Sequence, residues 1–128
     1  MTDFKVSNLG EVAEAVQQAM AEKARLEVRA AGTQRHLGRA SSYDHVLDVS
    51  ALSGIVDYQP EELVLTLRAG TPMNLVEAAL ADARQMLAFE PPSMTRILGE
   101  AQPGVRGTIG GVIAANLSGP RRLTAGAA

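Results

Sequence analysis

Two glycine-centred segments hold the residues whose types and spacing suit chemistry: Ala30-Ala31-Gly32-Thr33-Gln34-Arg35-His36-Leu37-Gly38 and Gly107-Thr108-Ile109-Gly110-Gly111-Val112-Ile113-Ala114-Ala115-Asn116. Small side chains leave backbone N–H groups bare in both, and bare N–H groups at a loop or helix start grip a diphosphate without charged side chains. In the second segment Thr108 is placed to cap a helix whose first amides, those of Ile109, Gly110 and Gly111, would point free at an anion. Gly110/Ala114 and Gly111/Ala115 fall on one helical face, so either a flat ligand or another stretch of backbone can come close. The standard nucleotide fingerprints are missing. Gly32 to Gly38 is too long for a Walker A loop, Arg39-Ala40 stands where Lys-Ser/Thr is required, and Gly104-x-x-Gly107-x-x-Gly110-Gly111 misses the dinucleotide spacing. The chain reads as a nucleotide holder that is neither a P-loop protein nor a Rossmann dehydrogenase.

The elements that must position these segments alternate between helical and extended. Asn8 with Glu11 three residues on is a capping box, and Leu9, Val12, Ala13, Val16, Ala19 and Met20 recur at helical spacing, which predicts a helix from about Leu9 to Glu22. Leu26-Glu27-Val28-Arg29-Ala30 alternates as a strand and runs directly into the first glycine segment. Val46-Leu47-Asp48-Val49 is a second short strand. Ile55 to Gln59 and Leu63 to Arg68 flank Pro60-Glu61-Glu62 as a hairpin, with Leu63, Leu65 and Leu67 on one side. Thr71-Pro72 is an N-cap followed by proline at the first helical position, and Met73, Leu75, Val76, Ala79 and Leu80 make the buried stripe of a helix ending near Ala83. Met86 to Phe89 reads as a short extended piece. From Ser93 to Gly107 the pattern lapses around a Pro103-Gly104 turn, and a loop of this length inside a compact domain is usually functional.

Composition narrows the function classes. A chain of 128 residues with 46% hydrophobic and 20% charged residues has the make-up of one ordinary globular domain, and 3% aromatic residues leave its core to Leu, Val, Ile, Ala and Met. A net charge of −2, with arginines scattered apart from Arg121-Arg122, offers nucleic acid no electrostatic footprint. The absence of Cys removes disulfides and thiolate chemistry and fits a reducing compartment; with only two His, no metal site is expected. The opening Met1-Thr2-Asp3-Phe4-Lys5 has no apolar core of a signal peptide, so the expectation is a cytoplasmic chain with no membrane insertion of its own, brought to a membrane only by a partner. The close at Leu123-Thr124-Ala125-Gly126-Ala127-Ala128, without a cap or strand, reads as a chain cut short at its C-terminus.

Taken in order, these features resemble the FAD-binding domain of the vanillyl-alcohol oxidase/p-cresol methylhydroxylase (PCMH) type. Arg29-Ala30-Ala31-Gly32-Thr33-Gln34 fills that family's Arg-x-x-Gly-(Ser/Thr/His) loop, and Thr108-Ile109-Gly110-Gly111 followed by small residues and Asn116 fills its later signature. Leu47-Asp48-Val49-Ser50-Ala51-Leu52, the hairpin and Ala69-Gly70-Thr71-Pro72 fall between them in the family's order, so the likeness covers nearly the whole chain. Within the family, Leu117 to Ala128 is most similar to the FAD-binding subunits of bacterial glycolate oxidases. The resemblance implies an α+β fold for residues 1–128, a small mixed sheet with flanking helices and the start of a second lobe. It implies FAD held by Ala30, Ala31, Gly32, Thr33, Gln34, Gly107, Thr108, Ile109, Gly110, Gly111 and Ala114. It further implies oxidation of a 2-hydroxy acid such as glycolate, within a complex with other subunits. A non-catalytic FAD-holding subunit and an inactive fragment are the other two readings. Members with covalent flavin carry His at the position of Thr33, so the FAD is expected to be noncovalent. Ala30 and Ala31 replace the commoner glycines, which centres the closest backbone approach on Gly32.

The remaining polar residues take plainer readings. His36 reads as an exposed loop residue rather than a phosphate or ribose contact, and His45 beside Asp44 as a solvated loop pair. Glu90 before Pro91-Pro92 either faces the flavin or is a surface acid. Arg121 and Arg122 either neutralise the diphosphate or are solvated, and Met73, Met86 and Met94 read as core filler. No catalytic acid or base is identifiable.

Overall fold

A computed structural model describes residues 1–97 and 106–128. Strands β1 (Thr2–Lys5), β2 (Leu26–Arg29) and β3 (His45–Asp48) form a parallel sheet in the order β1-β3-β2, with Val46 and Leu47 of the central strand buried. Strand β1 carries Asp3 and Lys5 among its four residues and has no alternation that marks a strand in the sequence. Helix α1 (Leu9–Glu22) starts and stops where the capping signals place it: Asn8 Oδ1 accepts from Glu11 N at 3.0 Å, Glu11 Oε2 accepts from Ser7 N at 2.6 Å, and Lys23 ends the helix at φ 54°. The face it buries differs from the sequence stripe. Val12 and Ala15 pack in one cluster with Leu47 of the sheet and Ala19 is buried, while Leu9, Ala13, Val16 and Met20 are exposed; the small alanines let the helix backbone lie close to its neighbours.

Parallel strands need a long crossover. Between β2 and β3 this is the stretch from Ala30 to Asp44, which contains no helix and begins with the first glycine segment. Its base is closed by Asp44, whose carboxylate accepts from Arg25 N (2.8 Å), Nε (3.1 Å) and Nη2 (3.2 Å), while Asp44 N donates to Arg25 O (2.9 Å). The Arg25 side chain and backbone N–H pull the Asp44 carboxyl down to about 2, from an ordinary value of 3.8. A depressed carboxyl adds stability that is fully present above its ordinary value and disappears as pH falls through the folded one. Asp44→Asn is therefore expected to be less stable than the parent by a constant margin from pH 7 to about 4, with the gap closing toward pH 2; urea midpoints at several pH values read this directly.

The second half of the chain builds on an antiparallel hairpin, β4 (Ile55–Gln59) and β5 (Val64–Leu67), joined by a 3₁₀ turn at Pro60–Glu62. Leu63 takes φ 58° to close that turn and is exposed, so it leaves the apolar set that Leu65 and Leu67 bring to the core. Helix α2 (Met73–Asp82) begins one residue later than the Thr-Pro signal suggests. Pro72 takes the N-cap position because the buried Thr71 hydroxyl is committed elsewhere, donating to Arg68 O (2.6 Å) and accepting from Gly54 N (2.9 Å). Met73, Val76 and Leu80 of α2 pack on Ile109 and Val112 of α4 (Ile109–Ala114), each such side chain stabilising the fold by ~1.5–3 kcal/mol. Leu75, read as part of the stripe, is exposed.

Met86 to Phe89 forms no strand, although Leu87 and Phe89 still cover the core; Met86 is exposed and is not core filler, whereas Met73 is. Short helices α3 (Met94–Ile97) and α5 (Arg122–Ala125) complete the described elements. The Pro103-Gly104 turn lies outside the described residues, as does the Met94 side chain. The architecture is α+β, with its strands divided between two small sheets.

Candidate functional site

Strand β2 delivers the chain to Gly32 at the carboxyl end of a parallel sheet, where open α/β sheets place ligands. Gly32 adopts φ 70°, a conformation natural to glycine, and a Cβ there would have nothing nearer than 3.7 Å. No backbone carbonyl among the described residues accepts from the amides of Ala31, Gly32, Thr33, Gln34 or Arg35; further along the loop, Leu37 N donates to Gln34 O at 3.0 Å. Five consecutive donors thus have no protein acceptor among the described residues and are open to solvent or a ligand, an arrangement that fits an anion.

Across from this loop, α4 starts at Thr108. Its first amides are not free, contrary to the sequence reading. Ile109 N donates to Thr71 O (2.9 Å), Gly110 N to Ala69 O (2.9 Å) and Gly111 N to Thr108 Oγ1 (3.4 Å). These bonds dock the helix start onto the segment before α2, reinforced by Met73 N donating to Gly107 O (3.0 Å). The two faces open to the Gly-Gly pair are divided between its members. A Cβ on Gly110 would stand 2.7 Å from Ala69 O, so Gly110 serves backbone packing, whereas one on Gly111 would lie 3.5 Å from Gln34 Nε2, on the open side.

The loop and the helix start enclose a cleft of about 220 Å³. Of the residues singled out in the sequence, Ala30, Ala31, Gly32, Thr33, Gln34, Thr108, Gly111 and Ala114 line it. Gly107, Ile109 and Gly110 lie behind the wall: Gly107 (φ 84°) lets Thr33 Oγ1 approach, Ile109 is buried in the core, and Gly110 abuts Ala69.

Three charged residues of the cleft escaped the sequence reading as a group: Glu27, Arg29 and Arg35. Arg29 Nη2 donates to Glu27 Oε2 (2.9 Å) and Arg35 Nε to Glu27 Oε1 (2.7 Å). Burial pushes the Glu27 carboxyl up, but hydrogen bonds from Arg35 and Arg29 outweigh it and hold the group below the ordinary glutamate range. The available signal was the i, i+2 spacing of Glu27 and Arg29, which places both on one face of β2.

The other candidates sit elsewhere. Glu90 pairs with Arg121 (3.1 Å) and Arg106 with Glu77 around a separate cleft of about 370 Å³ floored by Leu80, Leu87 and Phe89. Arg122 is exposed on α5. His45 is no solvated loop residue: it belongs to β3, its Nδ1 accepts from Thr2 N (3.1 Å), its Nε2 meets Glu22 Oε2 (2.9 Å), and its ring stands edge-on to Phe4. His36 is exposed. Among the described residues no group of three or more His, Asp or Glu is placed to hold a metal, and no helix is long and apolar enough to cross a membrane.

A loop of open amides at a strand end thus faces a capped Gly-Gly helix start on a small α+β scaffold. The sequence pattern of the FAD binding domain family matches residues 3–128, and the chain belongs to that family, with FAD as its cofactor. Among curated relatives, glycolate oxidase subunit GlcE of Escherichia coli (strain K12) is 42% identical over 113 residues, covering 88% of this chain and 29% of that protein. The chain thus spans less than a third of this relative. Solved structures share the fold: an alkyldihydroxyacetonephosphate synthase (TM-score 0.69, 16% identity, 98% of this chain, 22% of that one) and aclacinomycin oxidoreductase (TM-score 0.64, 21% identity, 98% and 23%). The likeness to PCMH-type domains is confirmed by these matches.

Proposed function

We propose that this chain is the FAD-holding part of a flavin-dependent oxidoreductase subunit that oxidises a 2-hydroxy acid such as glycolate, with FAD bound noncovalently through its diphosphate. The observation that carries the reading is the run of amides from Ala31 to Arg35 that no described carbonyl satisfies, facing the open side of Gly111. In this reading Ala30 to Gln34 hold the diphosphate, and the missing side chain of Gly111 with the small one of Ala114 leaves room for a flat group to lie against the wall. Gly107, Ile109 and Gly110 hold the helix start in place behind it. The described residues that line the cleft include no His or Cys, which supports the noncovalent reading.

The chemistry supplied by FAD when bound is acceptance of a hydride from the substrate carbon, and the chain's own part is binding and orientation. The 42% identity to a glycolate oxidase subunit supports the substrate class and a complex with further subunits. A cytoplasmic location, with any membrane association made through those partners, is part of the same proposal. The test is anaerobic addition of glycolate and other 2-hydroxy acids to the full-length protein assembled with its partners. Bleaching of the flavin bands is the expected result. Flavin that stays oxidised with every 2-hydroxy acid overturns the redox assignment and leaves a non-catalytic FAD-holding subunit.

A further inference from the structure

We infer that Glu27 is a positioning residue that locks Arg29 and Arg35 into a two-guanidinium collar around the Gly32 loop, so that the cleft selects ligands carrying a diphosphate over their phosphate-free counterparts. This rests on the FAD reading above. Alternation along β2 puts Glu27 and Arg29 on one face, and Arg35 returns to the same carboxylate from the far side of the loop. Each carboxylate oxygen takes one guanidinium. Arg35 is fixed at its other end by Tyr43, whose hydroxyl accepts from Nη2 at 2.8 Å and whose ring lies 5.9 Å below the guanidinium. The Cδ atoms of both arginines stand 3.7 Å from where a Cβ would sit on Gly32, so they flank the point of closest backbone approach.

The collar keeps donors in reserve. Arg29 Nε is buried and has no acceptor among the described residues, a state that calls for a partner. Two guanidinium groups against one carboxylate leave a net positive charge beside the five open amides, in a chain whose overall charge is −2. Without Glu27 the two cations would repel each other and turn toward solvent. With it they are held ready at little further entropic cost, which is how a planar, always-charged fork improves recognition of phosphate.

The test is titration calorimetry of the 128-residue chain and its Glu27→Gln, Arg35→Ala and Glu27→Gln/Arg35→Ala variants with FAD, ADP and riboflavin, at two salt concentrations. Glu27→Gln and Arg35→Ala are each expected to weaken FAD and ADP about tenfold, the loss of one charge-assisted hydrogen bond, and Arg35→Ala, which removes a cation, to flatten the salt dependence as well. Riboflavin affinity stays at the parent value, and the double variant loses less than the product of the singles, because the residues act as one unit. Tighter FAD binding by Glu27→Gln would make Glu27 a competitor of the ligand and overturn the inference. So would an unchanged salt dependence with equal losses for FAD and riboflavin, which is the mark of a purely structural cluster. Arg35 lies on an exposed loop, so its variant remains informative if Glu27→Gln fails to fold. Parent chain that binds FAD alongside indifferent variants removes the collar alone; parent chain that binds neither FAD nor ADP removes the FAD reading with it.

Discussion

Gly110→Ala is expected to lower stability by about 3 kcal/mol and the melting temperature by roughly 10 °C. The added methyl would stand 2.7 Å from Ala69 O and 2.8 Å from Ala69 Cβ, distances that real Cβ contacts do not reach. Relief by movement is closed off on both sides. Gly110 N donates to that same Ala69 carbonyl, Ile109 N to Thr71 O, and Met73 N to Gly107 O, so pushing α4 away breaks a contiguous set of backbone bonds. It would also draw Ile109 and Val112 out of the cluster they form with Met73, Val76 and Leu80. Thermal melts followed by far-UV circular dichroism check this, and a melting temperature within a degree or two of the parent would show that the helix start is not seated on Ala69.

Gly111→Asp, one residue on, is expected to leave the fold intact and weaken FAD binding on the order of a hundredfold. The nearest atoms to a Cβ at this position are Gln34 Nε2 and Thr108 Oγ1, both at 3.5 Å, which is ordinary contact. Position 111 is the third residue of α4, where a carboxylate interacts favourably with the helix N-terminus, so the helix is no worse for the change. The same carboxylate stands on the wall opposite the Gly32 loop, where it would repel a diphosphate. Circular dichroism and FAD titration on one preparation separate the two effects. A Gly111→Asp chain that binds FAD like the parent places the ligand elsewhere, and an unfolded one contradicts the geometry of the wall.

These neighbouring glycines show how far the sequence could be read. Their spacing left open whether a flat ligand or another backbone comes close; another backbone does at Gly110, and Gly111 faces the cleft. Two features read from local chemistry came out where their signals put them. The Asn8/Glu11 box set the start of α1, and Pro60-Glu61-Glu62 turned the hairpin. Features that depend on residues distant in the chain were not legible. The amides of Ile109 and Gly110 look free until the carbonyls of Thr71 and Ala69 arrive from about forty residues away, and Thr71 loses its capping role because Gly54 claims its hydroxyl. Helix α1 buries Ala15, which the sequence stripe passed over, together with Ala19, which it included, rather than the larger Leu9, Val16 and Met20, since close approach to a short sheet rewards small side chains. The pairing of Glu27 with Arg35 depends on how the loop after Gly32 turns back, which no spacing rule encodes. Asn116 was legible as part of a signature, and the structure supplies its physical role: at φ 52° it ends α4, and its Oδ1 accepts from Ser118 Oγ at 3.3 Å.

In the reading proposed above, the loop from Ala31 to Arg35 and the wall at Gly111 are two sides of one diphosphate site. Equilibrium titration of the parent chain with FAD in the presence and absence of ADP tests it most directly. One FAD per chain, displaced by ADP in the parent and bound on the order of a hundredfold more weakly by Gly111→Asp, is the predicted result. FAD binding that ADP does not displace, or no FAD binding by a chain shown to be folded, would contradict it.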